Sequence, residues 1–363
     1  MTNKPRLEYF DVLKGLAIFL VVMGHVLTIS IRGIDSAFSF KLIGEIHMPV
    51  FFFISGFFTY KIIDTKDFAT PNLKQRFLQL IVPFVVVSAL WVWFYTHSRL
   101  ESPFDAHISS LYADTSKHGY WFTLCLFEII LIYAGLSYIF RLITNQIIQI
   151  LITISIWILL GALALYILPE RIGNILSLIN VCQFFPIFMV GVFAKKNQNC
   201  YNRAIGNSWI YTASLIVFCP VLYYTCYYWE FPSIPAGFVY ITRCILHITF
   251  VCVAITAVKA WLDKTTPQNK AVRIFSYLGK ESLAIYLLHY FLLFPMSFMQ
   301  EPLREMGLGL VPTFVVAAAV ASIIIALVLI INHIIGRSKL LSLLLTGKVK
   351  GISINSTNKL NNR

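Results

Sequence analysis

The chain has 363 residues, of which 58% are hydrophobic and 12% are charged, and its mean hydropathy is +0.76. A soluble domain of this length carries about twice that share of charged residues, so the composition excludes a soluble globular protein. The formal net charge is +13. Because the basic residues are scattered over short loops and the C-terminal segment, we expect them to face anionic membrane lipids, and we do not expect nucleic acid as a partner.

Ten apolar segments have the length of a membrane-spanning helix, about 17 to 25 residues. We therefore predict an all-α polytopic integral membrane protein of about ten transmembrane helices around a polar cavity. The predicted spans are 10–31, 43–60, 77–96, 119–140, 146–168, 177–194, 208–228, 238–261, 277–299 and 311–335. An even number puts both termini on one side, and the excess of Lys and Arg in the segments on that side predicts that it is cytoplasmic. Residues 1–347 form the predicted single membrane domain, and 348–363 a polar, disordered cytoplasmic tail.

The first span contains DVLKGLAIFLVVMGH, residues 11–25, with a cation near its start and an imidazole deep inside. Lys14 and His25 lie eleven residues apart, which is about 20° from three full helical turns, so they share one face and are separated by about 16 Å along the axis. Asp11, three residues before Lys14, lies on approximately the same face. This stripe indicates either a functional path into the membrane or a structural histidine that forms hydrogen bonds inside a helix bundle.

Further polar residues fall inside other spans, where they are costly unless they face a protein interior or a wet cavity. Glu45 and His47 begin the second span, and Glu128 lies near the middle of the fourth. A carboxyl group there is expected to be protonated or matched with a cation, for which Arg243 in the eighth span is the candidate. His247 follows Arg243 by four residues, on the same face.

The ninth span contains KESLAIYLLHYF, in which Ser282, Tyr286 and His289 form one polar stripe at i, i+4 and i+7. Together with the polar residues of the other spans, this stripe predicts a polar layer contributed by five helices. Structural hydrogen bonding remains the alternative for each residue taken alone. The longest loop, 97–118, is predicted to be either a solvated connection or a platform for a substrate.

Basic residues gather at the ends of spans that we predict to be cytoplasmic: Lys14, Lys74, Arg76 and Lys280. Such cations suit a phosphate-rich ligand, and the alternative is the ordinary basic bias of cytoplasmic loops. No Walker A loop, GxGxxG turn or GxSxG elbow occurs, so nucleotide hydrolysis and α/β-hydrolase chemistry have no support. The seven cysteines form neither a CxxC pair nor a metal-ligand pattern, so no metal site is predicted.

Three stretches, RLEYFDVLKGLAIFLVVMGH, HMPVFFFISGFF and LGKESLAIYLLH, resemble the acyltransferase-3 family of bacterial integral membrane O-acyltransferases. The first two are most similar to its fucose 4-O-acetylase-like and Nod-factor-acetylase-like branch. The resemblance extends over nearly the whole chain. It implies an enzyme of the bacterial cytoplasmic (inner) membrane that O-acylates carbohydrates.

The resemblance also implies roles for individual residues. The essential histidine of the family's first helix corresponds to His25, and its basic partner to Lys14. The family's cytoplasmic Arg-x-x-Arg matches only at Arg76, because the second position is Gln79; Lys74 is the expected substitute. Some members carry an extracytoplasmic hydrolase-like domain, and we expect this chain to complete the transfer within its membrane domain.

The expected co-substrate is acetyl-CoA or another acyl-CoA, with no tightly bound cofactor. The residues expected to bind it are Lys14, Arg76, Lys74 and Asp11. The expected catalytic set is His25, Glu128, Tyr286 and His47, and the set expected to bind the carbohydrate acceptor is Arg243, His247, His289 and Glu45.

In this scheme His25 is either a general base toward a sugar hydroxyl or the carrier of a covalent acyl group. Glu45 or Glu128 would orient an imidazole, and Tyr286 or Arg243 would stabilise the oxyanion. An envelope polysaccharide or a lipid-linked glycan is the expected acceptor, and the polysaccharide assembly machinery is a candidate partner.

Two other functions fit a helical bundle with an internal polar layer. A secondary transporter or exporter of a polar or anionic solute would use the same layer as its binding site. We find no corresponding pair of Gly- or Pro-interrupted spans, which such transporters commonly show. A membrane scaffold within a polysaccharide assembly complex is the third alternative.

Overall fold

The computed structural model of the chain describes residues 7–31, 37–60, 73–99, 111, 113–228, 235–266 and 268–348, with the side chains of 95–99, 228 and 236 excepted. Within these ranges every regular element is helical. In the described part of the chain, nine helices are long and apolar enough to span a membrane, and a bent pair makes up to ten. The prediction of an all-α polytopic membrane protein is confirmed, whereas the cytoplasmic location of the termini stays a prediction.

The α-helices are numbered here in chain order. They are α1 Glu8–His25, α2 Phe38–Thr59, α3 Leu73–Arg99, α4 Trp121–Leu142, α5 Gln146–Ala162, α6 Glu170–Ile175, α7 Leu178–Lys196, α8 Gln198–Ala204, α9 Ser208–Tyr228, α10 Ala236–Asp263, α11 Lys270–Lys280, α12 Ser282–Leu288, α13 Gln300–Glu305, α14 Leu310–Ile335 and α15 Lys339–Thr346. Helices α1 and α5 continue as π-helical turns over Val26–Ile31 and Leu163–Ile167.

Helix α1 is among the more buried helices of the bundle. In the most apolar stretch of this span 56% is buried, whereas the corresponding value for the span that contains α5 is 11%. Its neighbours include α2, α10, α11 and α14. A Cβ atom at Gly15 would overlap the carbonyl of Phe275, and one at Gly279 would overlap the carbonyl of Asp11. Small residues therefore allow α1 and α11 to approach closely, as is common between helices in membranes.

Helices α2 and α7 form a second close pair. A Cβ atom at Gly56 would overlap the carbonyl of Phe188, and one at Gly191 would overlap the carbonyl of Phe53. Each of the two helices contains one internal proline, which in α2 is Pro49. Helix α2 begins at Phe38, five residues before the predicted start of the second span. The aromatic core between α2, α4 and α7 fixes the helices that surround the cavities described below.

The predicted ninth span is broken. Helix α12 ends at Leu288, a 3₁₀ turn follows over His289–Leu292, and the next helical turns run at 92° to it. Pro295 lies in the break and explains it, because proline lacks an N–H group and disfavours a helical conformation of the residue before it. The N–H group of Met296 instead donates to the carbonyl of Ser30, at 2.7 Å. The 3₁₀ turn consequently lies against the end of α1.

Candidate active site

Two cavities lie end to end along one face of α1. The first, of about 430 Å³, is lined by Lys14, Ile18 and Val21 of α1, and we call it the basic cavity. The second, of about 480 Å³, is lined by Val21, His25 and Thr28, and we call it the histidine cavity. The residues follow the i, i+4, i+7 spacing of one helix face. The predicted stripe from Lys14 to His25 therefore faces internal space along its whole length.

His25 is the last residue of α1, directly before the π-helical turn Val26–Ile31. Such turns are frequent at functional sites because they change the direction of side chains within a helix. The hydroxyl of Thr28 donates to the carbonyl of Gly24 at 3.0 Å, inside this turn. The imidazole of His25 lines the histidine cavity.

Tyr290 holds the ring of His25. Its hydroxyl lies 2.9 Å from Nε2 of His25, and the two ring centroids are 4.8 Å apart. A Cβ atom at Gly119 would overlap this hydroxyl, and Gly119 has a positive φ of 94°. Glycine at this position therefore provides the space in which Tyr290 reaches His25.

His289 and Tyr286 are fixed by backbone groups on the other side of His25. His289 is fully buried; its Nδ1–H group donates to the carbonyl of Tyr286 at 2.8 Å, and its ring centroid lies 5.2 Å from that of His25. The hydroxyl of Tyr286 donates to the carbonyl of Gly119 at 2.8 Å and accepts a hydrogen bond from the N–H group of Phe122 at 3.1 Å. Tyr286 thus ties the broken ninth span to the start of α4, whereas the hydrogen bond of His289 lies within that span.

His47 lines the histidine cavity from α2, and its Nδ1–H group donates to the carbonyl of Ile43. This bond fixes the orientation of the ring. It also leaves Nε2 as the unprotonated nitrogen of the neutral imidazole.

A charged pair forms one wall of the histidine cavity. The guanidinium of Arg243 donates to a carboxylate oxygen of Glu45 at 2.9 Å and to the side-chain oxygen of Gln183 at 3.2 Å. Nε2 of buried His247 lies 3.8 Å from the other oxygen of Glu45. The ring of His247 stacks on Phe184 at 5.4 Å with an interplanar angle of 2°. The pair is therefore held by a hydrogen-bonding side chain and an aromatic support.

The loop before α4 closes the histidine cavity with short polar side chains. Asp114, Thr115 and Ser116 line the cavity, together with Asn180 of α7. Burial alone would raise the pKa of Asp114, but hydrogen bonds from Ser116 and His118 outweigh it and hold the pKa below its usual range. Asp114 therefore offers a carboxylate to the cavity at neutral pH. Residues 114–116 of the loop predicted over 97–118 thus contribute to the cavity, and 100–110 and 112 lie outside the described residues.

The basic cavity is surrounded by cations from four segments. Lys14, Arg76, Lys280 and Lys348 all line it. Lys14 pairs with Asp11 at 3.0 Å. Lys348 pairs with Glu281, whose carboxylate also accepts a hydrogen bond from Asn332 at 2.7 Å. Among the described residues, no carboxylate lies within salt-bridge distance of Arg76 or Lys280.

The profile of a family described as an acyltransferase domain, acyltransferase 3, matches residues 7–331. The chain belongs to the acyltransferase-3 family. The resemblance predicted from the sequence motifs is therefore confirmed, and the protein is a membrane protein of this acyltransferase family. Family membership favours the enzyme over the transporter and the scaffold.

One curated relative of this acyltransferase is nodulation protein NolL of Mesorhizobium japonicum, which is 38% identical over 96 residues. That match covers 25% of this chain and 25% of the relative, so the chain spans a quarter of the length of the curated protein it matches. No solved structure matches the chain.

The structure of the acyltransferase brings most of the predicted site residues together. His25, His47, Glu45, Arg243 and Tyr286 line the histidine cavity. His247 and His289 lie directly behind its walls, through their contacts with Glu45 and His25.

In the basic cavity of the acyltransferase, Lys14 and Arg76 are lining residues, and Asp11 contacts Lys14 from behind. Lys74 is exposed and does not line the cavity, whereas Lys280 and Lys348 do. Residues 349–363 of the predicted tail lie outside the described part of the chain.

The position and the partner of Glu128 differ from the expectation. It lines neither cavity, and Arg243, the cation proposed as its partner, pairs with Glu45 instead. One of its carboxylate oxygens is buried without a hydrogen-bond partner among the described residues, and the cation that interacts with it electrostatically is Lys117. The reason is that α10 packs against α2 and α7, so that Arg243 faces α2.

Sequence reasoning missed several residues of the acyltransferase site: Tyr290, Gln183, Asn180, Asp114, Gly119 and Lys348. Helical periodicity offered a signal for Tyr290, because it follows Tyr286 by four residues and therefore lies on the same face. Within the described ranges, no three His, Cys, Asp or Glu side chains are arranged to hold a metal ion.

Proposed function

We propose that this acyltransferase transfers an acetyl group from acetyl-CoA to a hydroxyl group of a carbohydrate, with His25 as the general base. The observation that carries the proposal is the continuous face of α1, which links a cavity rich in cations to a cavity that contains a held imidazole. One substrate of the reaction is a long polyanion with its reactive group at the far end, and the other is a neutral polar molecule.

The basic cavity suits the donor. Coenzyme A carries several phosphates, and Lys and Arg bind phosphate through charge-assisted hydrogen bonds. Lys14, Arg76 and Lys280 surround the space in which these phosphates would bind. Because the excess of Lys and Arg predicts this end of the bundle to be cytoplasmic, the donor would enter from the compartment in which acyl-CoA is made.

The histidine cavity suits a carbohydrate acceptor. Asp114 in the loop before α4, and Asn180 and Gln183 on α7, offer hydrogen-bond donors and acceptors, and Trp121 and Phe184 present a stacked aromatic pair 5.3 Å apart. A sugar has hydroxyl groups around an apolar ring face, which such polar and aromatic walls complement. A polysaccharide or a lipid-linked glycan would insert one of its sugar units into the cavity.

The proposed reaction is an acyl transfer at one carbonyl carbon. His25 takes the proton of the acceptor hydroxyl while the oxygen attacks the thioester carbonyl. The C–S bond then breaks, the coenzyme A thiolate receives the proton from the imidazolium, and the products are an ester and a thiol. Tyr290 and the neighbouring ring of His289 hold the imidazole for the attack.

The contacts of Tyr286 and Arg243 change the role that each was expected to have in stabilising the oxyanion. The hydroxyl hydrogen of Tyr286 is engaged by the carbonyl of Gly119, and the guanidinium of Arg243 is engaged by Glu45 and Gln183. We therefore assign Tyr286 to positioning the wall of the cavity, and Arg243 to holding Glu45 and Gln183 toward the acceptor. An acyl-histidine relay through His25 is the variant mechanism. A labelled acetyl group that stays on the protein when the acceptor is withheld would support it.

The test measures release of coenzyme A and the acetyl-sized mass increment on the surface glycan. A deletion strain would be complemented with the wild type, with His25→Ala and with His333→Ala, and the membrane level of each protein would be determined. His333 is an exposed histidine of α14 outside both cavities, so its variant is the matched control.

We expect the wild type and His333→Ala to restore acetylation and His25→Ala to lower it at least about 100-fold, as for loss of a general base. Full acetylation by His25→Ala would make His25 a structural histidine and end the proposed mechanism. Acetylation absent from the wild type would show that the donor or the acceptor is a different molecule.

A further inference from the structure

Three side chains separate the basic cavity from the histidine cavity. Val21, Met48 and Tyr286 line both of them, and each is nearly inaccessible, with exposed fractions of 2%, 4% and 5%. We call these three residues the partition. If the proposed function is correct, the thioester must cross this partition, because the phosphates are held on one side and His25 lies on the other.

The three side chains differ in their freedom to move. The hydroxyl of Tyr286 is fixed by Gly119 and by the N–H group of Phe122. Val21 is β-branched and lies within α1, where one side-chain rotamer dominates. Met48 is unbranched, has three rotatable bonds and adapts its shape to the available space. The opening between the cavities is therefore controlled by Met48.

The donor presents its acyl group first as it passes from the basic cavity toward His25. The pantetheine arm that follows is a narrow chain near the sulfur, so an opening that admits the arm also admits a straight acyl chain. A branched acyl group is wider than the arm and meets the fixed ring of Tyr286 and the stiff side chain of Val21. We propose that Met48 is a movable gate between the two cavities, and that the gap it leaves selects donors by the width of the acyl group.

The test compares two donors with the same number of atoms. Butyryl-CoA and isobutyryl-CoA differ only in the branching of a four-carbon acyl group, and kcat/KM would be measured for each with the full-length protein in lipid nanodiscs. Met48→Ala widens the gate. Met23→Ala is the matched control, since Met23 is a fully buried methionine of α1 that lines neither cavity.

We expect Met48→Ala to raise the ratio of isobutyryl to butyryl transfer about tenfold or more, the range in which a pocket discriminates one methyl group. Met23→Ala leaves the ratio unchanged. Val21→Ala and Val22→Ala provide a second matched pair on consecutive residues of α1, which decides the question if Met48→Ala does not fold.

A narrowing variant tests the same gate from the other direction. Val21→Phe fills the partition, and we expect it to lower transfer of every acyl group while binding of coenzyme A, measured by calorimetry, stays within about twofold. Equal donor ratios for Met48→Ala and Met23→Ala, with normal acetyl transfer by the wild type, would overturn the gate and leave the proposed function intact. Failure of the wild type to transfer acetyl, butyryl or isobutyryl groups would contradict the proposed function itself.

Discussion

The histidine cavity and the basic cavity share one wall but are built on different principles. In the histidine cavity the charged groups satisfy one another, as Glu45 and Arg243 do, and aromatic rings support them from behind. In the basic cavity cations outnumber the carboxylates that reach it, and Arg76 and Lys280 have no acidic partner among the described residues. The first arrangement suits the small neutral molecule of the proposed function, which needs one orientation, whereas the second suits its polyanionic donor.

The largest expected effect of a single substitution concerns the paired wall. Arg243→Met leaves the carboxylate of Glu45 in a mostly buried site without its cation, and loss of one partner of a buried pair destabilises a protein by about 3 to 5 kcal/mol. We expect the free energy of unfolding, measured by denaturant titration in detergent, to fall by about 3 kcal/mol, and acetylation to fall with it.

An exposed ion pair of the same chain provides the control. Arg304 and Glu301 lie 3.7 Å apart, and half of the Arg304 side chain is exposed. Arg304→Met should change the free energy of unfolding by less than about 1 kcal/mol. Adding Glu45→Gln to Arg243→Met should restore part of the lost stability. Equal losses for Arg243→Met and Arg304→Met would show that the wall is not held by its charges.

The second prediction changes the geometry at His25 and leaves the basic cavity intact. In Gly119→Ala the new methyl group overlaps the hydroxyl of Tyr290, and the backbone has a positive φ that alanine adopts only with strain. Because Tyr290 contacts His25, we expect kcat to fall about 100-fold, the scale of a misplacement of about 1 Å. The KM for acetyl-CoA should stay within about twofold, since the donor phosphates bind elsewhere.

Gly135→Ala is the control for this substitution. Gly135 lies within α4, and a Cβ atom there would meet nothing within 4 Å. Its kcat should equal that of the wild type. A parallel rise in the donor KM of Gly119→Ala would mean that the two cavities do not act separately, and the comparison drawn above would fail.

The two cavities also differ in how far the sequence alone predicts them. The face shared by Lys14 and His25 follows from the period of a regular helix, and it holds because α1 is unbroken up to His25. The pairing of Glu45 with Arg243 could not be predicted in this way, because it depends on which helices are neighbours. Periodicity within one helix carries no information about that choice.

Tyr290 illustrates the same limit within a single span. It follows Tyr286 by four residues, so helical spacing puts it on the face of the predicted stripe. Its contact with His25 depends on how the broken span packs against α1, which the spacing does not give. Pro295 is the sequence signal of the break that follows, because proline lacks an N–H group with which to continue a helix.

The smallest predicted effect concerns the basic cavity. Lys348→Gln removes one cation and leaves the carboxylate of Glu281, so we expect the KM for acetyl-CoA to rise about threefold to tenfold with kcat unchanged, the size of one solvent-accessible hydrogen bond to a charged group. Lys339→Gln, at the exposed start of α15, should have no effect. Glu281→Gln should lower the KM for acetyl-CoA, because it frees Lys348 for the donor phosphates. If both Lys348→Gln and Glu281→Gln raise the KM equally, the ion pair closes the cavity as a structural unit, and the cations of this cavity are held as firmly as those around Glu45.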